Sequence, residues 1–310
     1  MLDRNPKSGY FARMKVKEDT GDLFYGTEFQ HVSPFRTQLL KWIGNKQRFA
    51  HKIASFFPTD IRVYREPFLG SGAVLAALQP PQAVGSDISG PLMEIWECLH
   101  DSPSQLMEWY RTRYTEYRQA GKPEGYERIK ASYNARPNGP DLLFICRSCY
   151  GGVVRFRKRD GYISTPCGVH DPISPAAFAR RVDIWRRRTA GTEFRQMDFE
   201  EAMSLAREKD FVYCDPPYVC SQAILYRGQD FSLPRLMSAI ADCKARGVRV
   251  ALSIDGKKKS GRVDCELEIP QGLFEREVFL DCGRSMLRRF QREGESLEDE
   301  VVHDRLLLTY

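Results

Sequence analysis

The sequence predicts an α/β fold interrupted by a long, mostly helical insertion that carries a β-hairpin. Three observations lead there. A short strand at residues 61–64 runs into a glycine-bearing turn that opens directly onto an apolar helix, a βα unit in miniature. Strands and helices alternate again from residue 193 to the C-terminus. Between these two stretches, over residues 92–189, the period changes to that of long helices.

Each element has its own warrant in the chain. Residues 1–33 hold no sustained period and many charges, and read as an N-terminal extension. Over residues 39–57 apolar side chains recur at helical spacing (Leu40, Ile43, Phe49, Ile53, Phe56), and Pro58 stops the pattern. After the strand at 61–64 comes Glu66-Pro67-Phe68-Leu69-Gly70-Ser71-Gly72, followed by the apolar helix. Glycines let a backbone approach a ligand closely, and a helix N-terminus favours negative charge there. Residues 83–87 then form a strand ending in Asp87, the position where nucleotide-binding α/β folds hold ribose hydroxyls.

The insertion is predicted as helices over 92–118 and 126–135 and a basic hairpin over 153–164, turning at Asp160-Gly161. Arg147, Arg155, Arg157, Lys158, Arg159, Arg180, Arg181, Arg186, Arg187, Arg188 and Arg195 share the region with Tyr150, Phe156, Tyr162, Phe178 and Trp185. A segment so basic and aromatic suits contact with phosphates. Strand character resumes at 193–198, then comes the apolar run ending in Asp215, a helix at 233–246 and a strand at 248–254. Two more strand-like runs, at 275–280 and 305–310, close the chain.

The run Phe211-Val212-Tyr213-Cys214-Asp215-Pro216-Pro217-Tyr218 carries the chemistry. An apolar strand delivers a carboxylate, two prolines and an aromatic ring in fixed order, which suits methylation of an exocyclic amine. The lone pair of such an amine is delocalised into its ring and must be drawn back onto nitrogen before attack. Asp215 can accept one N–H and the Pro216 carbonyl the other, since proline keeps its acceptor while its ring stiffens the backbone. Pro217 holds the turn, and Tyr218 can stack on the base.

Composition narrows the setting. Lys and Arg number 47 against 41 Asp and Glu, a net charge of +6 that permits nucleic-acid binding. No apolar run approaches the roughly 20 residues of a membrane span, and the first residues are charged rather than signal-like, so the expected location is cytoplasmic. The nine cysteines then read as reduced thiols. Cys146, Cys149, Cys167 and His170 have the spacing of a structural zinc site, but Cys146 and Cys149 also fall at helical spacing in an apolar run, and the reading adopted is no metal.

Together these motifs resemble the Dam-like (D12 class, alpha group) adenine-N6 DNA methyltransferases over residues 34–310. In that resemblance Lys41-Trp42-Ile43-Gly44-Asn45-Lys46 corresponds to the N-terminal cofactor motif, with Trp42 and Lys46 contacting S-adenosylmethionine. Phe68, Gly70 and Gly72 belong to the glycine loop, Asp87 is the ribose-binding acid, Asp198-Phe199 lies beside the cofactor's adenine, and Asp215 completes both the cofactor and the base site. The resemblance implies a Rossmann-like S-adenosylmethionine methyltransferase domain at 34–91 and 190–310, with a target-recognition insertion at 92–189. It implies a site-specific enzyme that flips an adenine out of double-stranded DNA. Lys41, Tyr150, Arg155, Arg157 and Lys158 are the implied DNA contacts. Gly151 and Arg157 stand where better-known members often carry asparagines, so the target sequence does not carry over. A cognate restriction endonuclease as partner, nucleoid association through DNA, and a monomer or weak dimer complete the expectation.

Other readings compete. Each motif has an ordinary structural role open to it: Trp42 as a core aromatic, Gly70 and Gly72 as a helix-entry turn, Asp87 as a strand-end cap, Lys46 as a solvated lysine. An RNA base methyltransferase can use the same Asp-Pro-Pro-Tyr motif, but tends to place it soon after the glycine loop. Here Gly72 and Asp215 stand about 140 positions apart. Cytosine-N4 methylation more often uses serine in place of the aspartate. A catalytically silent DNA-binding module would have no need of Asp215, Pro216 and Tyr218.

Overall fold

Strand β4 lies at the centre of the molecule, and its alternation organises the core. The structure, a computed structural model of the chain, describes residues 30–157, 159–217, 231–255, 269–284 and 301–310, at 255, 281–284 and 301–304 by the backbone alone. The strands are β1 (Tyr64–Glu66), β2 (Ala83–Asp87), β3 (Thr192–Gln196), β4 (Phe211–Cys214), β5 (Arg249–Asp255), β6 (Arg276–Arg284) and β7 (Val301–Leu308). All four side chains of β4 are buried, as expected of an inner parallel strand covered on both faces. Phe211 and Tyr213 enter one apolar cluster, and Val212 and Cys214 the other.

The sheet runs β3-β2-β1-β4-β5-β7-β6. The pairs β1–β2, β1–β4, β2–β3 and β4–β5 are parallel, while β7 runs antiparallel to both β5 and β6. The chain builds outward from β1 in one direction through β2 and β3, then returns to β4 on β1's other side. The order therefore reverses between β1 and β4, and loops leaving their carboxyl ends splay apart to form the crevice where ligands of such folds sit. The result is the Rossmann-like α/β sheet that the sequence predicts.

Helix α1 (Ala50–Ala54) precedes β1, and α2 (Ala73–Leu78) and α3 (Gly90–Asp101) follow β1 and β2. The connection between β2 and β3 continues through α4 (Pro103–Ala120), α5 (Glu124–Ala135), α6 (Gly139–Ser148) and α7 (Pro175–Arg188). Helices α8 (Phe199–Ser204) and α9 (Leu233–Ala245) cover the other face beside Val212 and Cys214. Among the described residues no helix is long and apolar enough to cross a membrane.

Three local expectations change. The helix expected over 39–57 is only α1, because Gly44 adopts φ +71° and Asn45 Oδ1 accepts the Gln47 N–H at 2.6 Å, closing a turn instead. The single helix expected over 92–118 breaks at Ser102, where Pro103 starts α4. The first strand lies at Tyr64–Glu66 rather than 61–64, the register at which it pairs with both Ala83–Gly85 and Phe211–Val212.

Candidate active site

The loop leaving β1 is pinned at three points. Leu69 donates its N–H to the Ser86 carbonyl at 2.9 Å, the Gly70 N–H reaches Asp87 Oδ2 at 3.1 Å, and the Gly70 carbonyl accepts the Trp96 indole N–H at 3.1 Å. Gly70 and Gly72 adopt φ +47° and +60°, which glycine takes without steric cost. A Cβ on Gly70 would lie 3.1 Å from Trp42 Cδ1, so the missing side chain is what lets the N-terminal motif close on the loop. The space beside Gly72 is filled by Trp96, 3.1 Å from an added Cβ. Trp96 in turn packs on Trp185 and stacks on Phe194. Gly72 thus serves packing as well as the entry to α2, which at six residues is too short for a strong dipole.

Asp87 ends β2 half-buried. Besides Gly70 it accepts the Ser89 N–H at 3.0 Å, and burial raises its pKa. Its carbonyl accepts the Met197 N–H at 3.3 Å, which brings the start of α8 alongside. There Asp198 caps the helix by accepting the Glu200 N–H at 2.9 Å, and Arg235 pairs with both acids. Phe199 stacks on Phe68 at 5.2 Å and 25°, and Phe231 completes an aromatic wall 6.0 Å from each.

Asp215 leaves the carboxyl end of β4, the strand beside β1 on the side away from β2. Lys46 Nζ stands 3.0 Å from its Oδ1, with the side chains 5% and 17% exposed. The solvated-lysine reading of Lys46 fails here: the side chain is buried, and its carbonyl accepts the Phe49 and Ala50 N–H groups that start α1. Pro216 is buried and Pro217 half-buried. Tyr218 lies outside the described residues.

Sequence reasoning missed Glu66. This buried carboxyl accepts the Tyr64 hydroxyl at 2.8 Å and the Leu75 N–H at 3.1 Å. Burial pushes its pKa up to about 8, against the pull of those bonds, and the charge of Asp215 adds to the rise. The available signal was an acid at a strand end directly before a glycine loop. Asp210, at the opposite end of β4, is structural: it pairs with Arg62 at 2.6 Å and Arg65 at 2.9 Å.

The hairpin expected at 153–164 forms around the pair Phe156 and Ile163. Arg157 N–H reaches the Tyr162 carbonyl at 2.9 Å and Ser164 N–H the Arg155 carbonyl at 3.2 Å, while Gly161 turns at φ +66°. The Asn134 side chain of α5 grips Ile163 through both N–H and carbonyl. Tyr150 and Arg155 are exposed, and the stem of Lys41 packs over Gly152 at the hairpin's base. The structure therefore brings Lys41, Tyr150 and Arg155 to one region. Arg157 folds onto Asp160 at the hairpin tip, and Lys158 lies outside the described residues.

The basic run is not uniformly outward. Arg147 and Arg181 donate to the Gln38 carbonyl, Arg147 also to Leu39, and Arg188 to Ala76. With the Trp185 indole on the Thr37 carbonyl, Arg147 and Arg181 hold residues 37–39 against α6 and α7, and Arg188 ties α7 to α2, so phosphate contact is corrected to a structural role for these three. Arg195 pairs with Glu193. The zinc spacing is not realised either: Cys146 is buried within α6, His170 is exposed, and among the described residues no cluster of three or more His, Cys, Asp or Glu could hold a metal ion.

Comparison with known proteins identifies the family. A family model, D12 class N6 adenine-specific DNA methyltransferase, matches residues 42–261, well over half of the chain. The DNA N-6-adenine-methyltransferase of Escherichia phage P1 is 24% identical over 90% of this chain, which spans 37% of that relative's length. The type II methyltransferase M1.LlaDCHI of Lactococcus lactis subsp. cremoris is 25% identical over 69% of this chain and 79% of its own. The DNA adenine methylase of Vibrio cholerae serotype O1 is 23% identical over the same shares, 69% and 79%. Among solved structures, the rRNA methyltransferase aviRa from Streptomyces viridochromogenes aligns over 84% of this chain and 83% of its own, at 13% identity and a TM-score of 0.34 that carries no functional argument.

Proposed function

The chain belongs to the D12 class N6 adenine-specific DNA methyltransferases, and from that premise we propose that it transfers a methyl group from S-adenosylmethionine to N6 of an adenine in double-stranded DNA. The observation that carries the reading is Asp215 at the carboxyl end of β4, 3.0 Å from Lys46 and on the same sheet edge as the glycine loop and Asp87.

The residues present fit the methyl donor. Asp87 is a half-buried acid suited to ribose hydroxyls, and the stack of Phe68 and Phe199 is a flat apolar wall suited to a purine. Trp42 lies against Gly70 of the glycine loop, and Lys46 pairs with Asp215. When bound, the donor supplies an electrophilic methyl group on a sulfonium.

The chain's own residues prepare the acceptor. Asp215 accepts one N–H of the adenine amine and the Pro216 carbonyl the other, which draws the lone pair onto nitrogen and stabilises the positive charge that develops there. As the new C–N bond forms, the methyl–sulfur bond of the bound donor would break in line with it and its electron pair would stay on sulfur as a neutral thioether, while the proton shed by nitrogen leaves through Asp215. Tyr218 stacks on the flipped base; extrusion costs on the order of a few kcal/mol, offset by binding. Lys46 orients the Asp215 carboxylate.

Residues 34–91 and 190–310 form the catalytic part in this reading, and 92–189 the target-recognition insertion. Lys41, Tyr150, Arg155, Arg157 and Lys158 contact DNA. A cognate restriction endonuclease fits the type II names among the relatives. The test is incubation of the purified chain with duplex DNA and methyl-labelled S-adenosylmethionine, followed by nucleoside analysis. Label in N6-methyladenine is expected; label in N4-methylcytosine, or in RNA but not DNA, would overturn the assignment.

A further inference from the structure

At the tip of the hairpin three side chains form one unit. Arg157 donates from Nε to Asp160 Oδ1 at 3.2 Å and from Nη2 to Asp160 Oδ2 at 2.9 Å, and its guanidinium lies 4.1 Å over the Tyr162 ring. Asp160 is itself held by the Tyr162 N–H at 3.1 Å and by Arg159 Nε at 3.3 Å. All three side chains stay about 40% exposed (Arg157 40%, Asp160 39%, Tyr162 39%), so the unit projects from the surface rather than filling a core.

A turn at Asp160-Gly161 needs only the Asp160 carboxylate on the Tyr162 N–H. The Arg157 contacts go further: they fix the plane of a long, rotamer-rich side chain on an exposed tip. Both bonds to Asp160 use the Nε/Nη2 edge of the guanidinium. Five N–H donors in a planar fork leave the Nη1/Nη2 end unused by these two bonds, and that end matches two acceptors side by side. A braced fork loses less freedom on binding than an unbraced one.

We propose that Arg157 reads the O6/N7 edge of one guanine in the DNA target, and that Asp160 and Tyr162 are positioning residues that aim it. The proposal rests on the hairpin meeting DNA, as in the function proposed above. Guanine is favoured over a phosphate because a fixed, single orientation is needed to discriminate one base edge, whereas phosphate contact only positions the protein.

The test profiles methylation by the full chain on a duplex library randomised around the methylated adenine, alongside binding at several salt concentrations. The variants are Arg157→Lys, which keeps the charge but loses the fork, and Asp160→Asn, which keeps an acceptor for the Tyr162 N–H but loses the carboxylate brace. The expected result is that both lose preference for guanine at the same position. Arg157→Lys should lose about tenfold or more of that preference and Asp160→Asn less. An unchanged profile with uniformly weaker binding and a shallower salt slope would show a phosphate contact and overturn the inference. An unchanged profile with unchanged binding would show a mere surface pair and overturn it as well. A wild-type chain that methylates no DNA would overturn the underlying function too, which separates the two failures.

Discussion

Lys46 and Asp215 come from elements about 170 positions apart in sequence, yet their side chains meet at 3.0 Å at the carboxyl end of β4. One residue belongs to the turn before α1 and the other to the Asp-Pro-Pro-Tyr motif, so the two motifs share one ion pair. Removing a partner from so enclosed a pair leaves the other charge uncompensated.

Lys46→Met should therefore lower the methyl-transfer rate by about 10 to 100-fold, the scale of a lost positioning contact in an active site. Single-turnover kinetics at saturating DNA would register it. A rate within a factor of about two of wild type would show that the pair is incidental.

Glu66 makes stability pH-dependent. Its pKa rises from an unfolded value near 4.5 to about 8 in the fold, because burial penalises the charged form. The folded state then holds a proton that the unfolded state releases, so this contribution is complete below about pH 4.5 and is lost as pH rises toward 8. Glu66→Gln keeps acceptors for Tyr64 and Leu75 without a charge to bury, and should flatten Tm between pH 5 and 8.5 relative to wild type. Parallel melting curves for the two proteins would contradict the assignment.

Gly70→Ala places a Cβ 3.1 Å from Trp42 Cδ1 at φ +47°. The left-handed backbone alone costs a side-chain residue about 1–2 kcal/mol. Calorimetry should show that loss together with weakened S-adenosylmethionine binding, since the strain falls on the loop itself. Unaltered affinity would separate the Trp42 contact from the cofactor site.

Arg147 and Arg155 should behave oppositely. Arg147→Met leaves the Leu39 carbonyl without its donor and the Gln38 carbonyl with Arg181 alone, and should cost about 1–3 kcal/mol of stability while the salt slope of DNA binding stays unchanged. Arg155→Ala should leave Tm in place and relax sequence preference or shallow the slope. The reverse pattern would return Arg147 to the DNA surface.

These cases show where sequence was informative. Apolar runs bounded by charges placed β2, β4 and α9 nearly to the residue, because burial on both sheet faces or one helix face is written directly into spacing. Spacing misled at 39–57: Leu39 and Leu40 are buried as the pattern requires, but by a loop that Arg147, Arg181 and Trp185 hold in place. An arginine's partner is a tertiary fact, and a basic run looks alike whether its guanidinium groups face water or backbone carbonyls. Glu66 stayed hidden for a related reason, since its burial depends on β1 lying between β2 and β4.

The central claim is that Asp215 activates the adenine amine. Its most direct test is the single-turnover rate of Asp215→Asn on a duplex that the wild-type chain methylates, with duplex affinity measured in parallel. The account predicts a fall of at least about 100-fold in rate, the scale of one lost electrostatic contact to a developing charge, with affinity changed only a few-fold. A variant that still forms N6-methyladenine at close to the wild-type rate would contradict it.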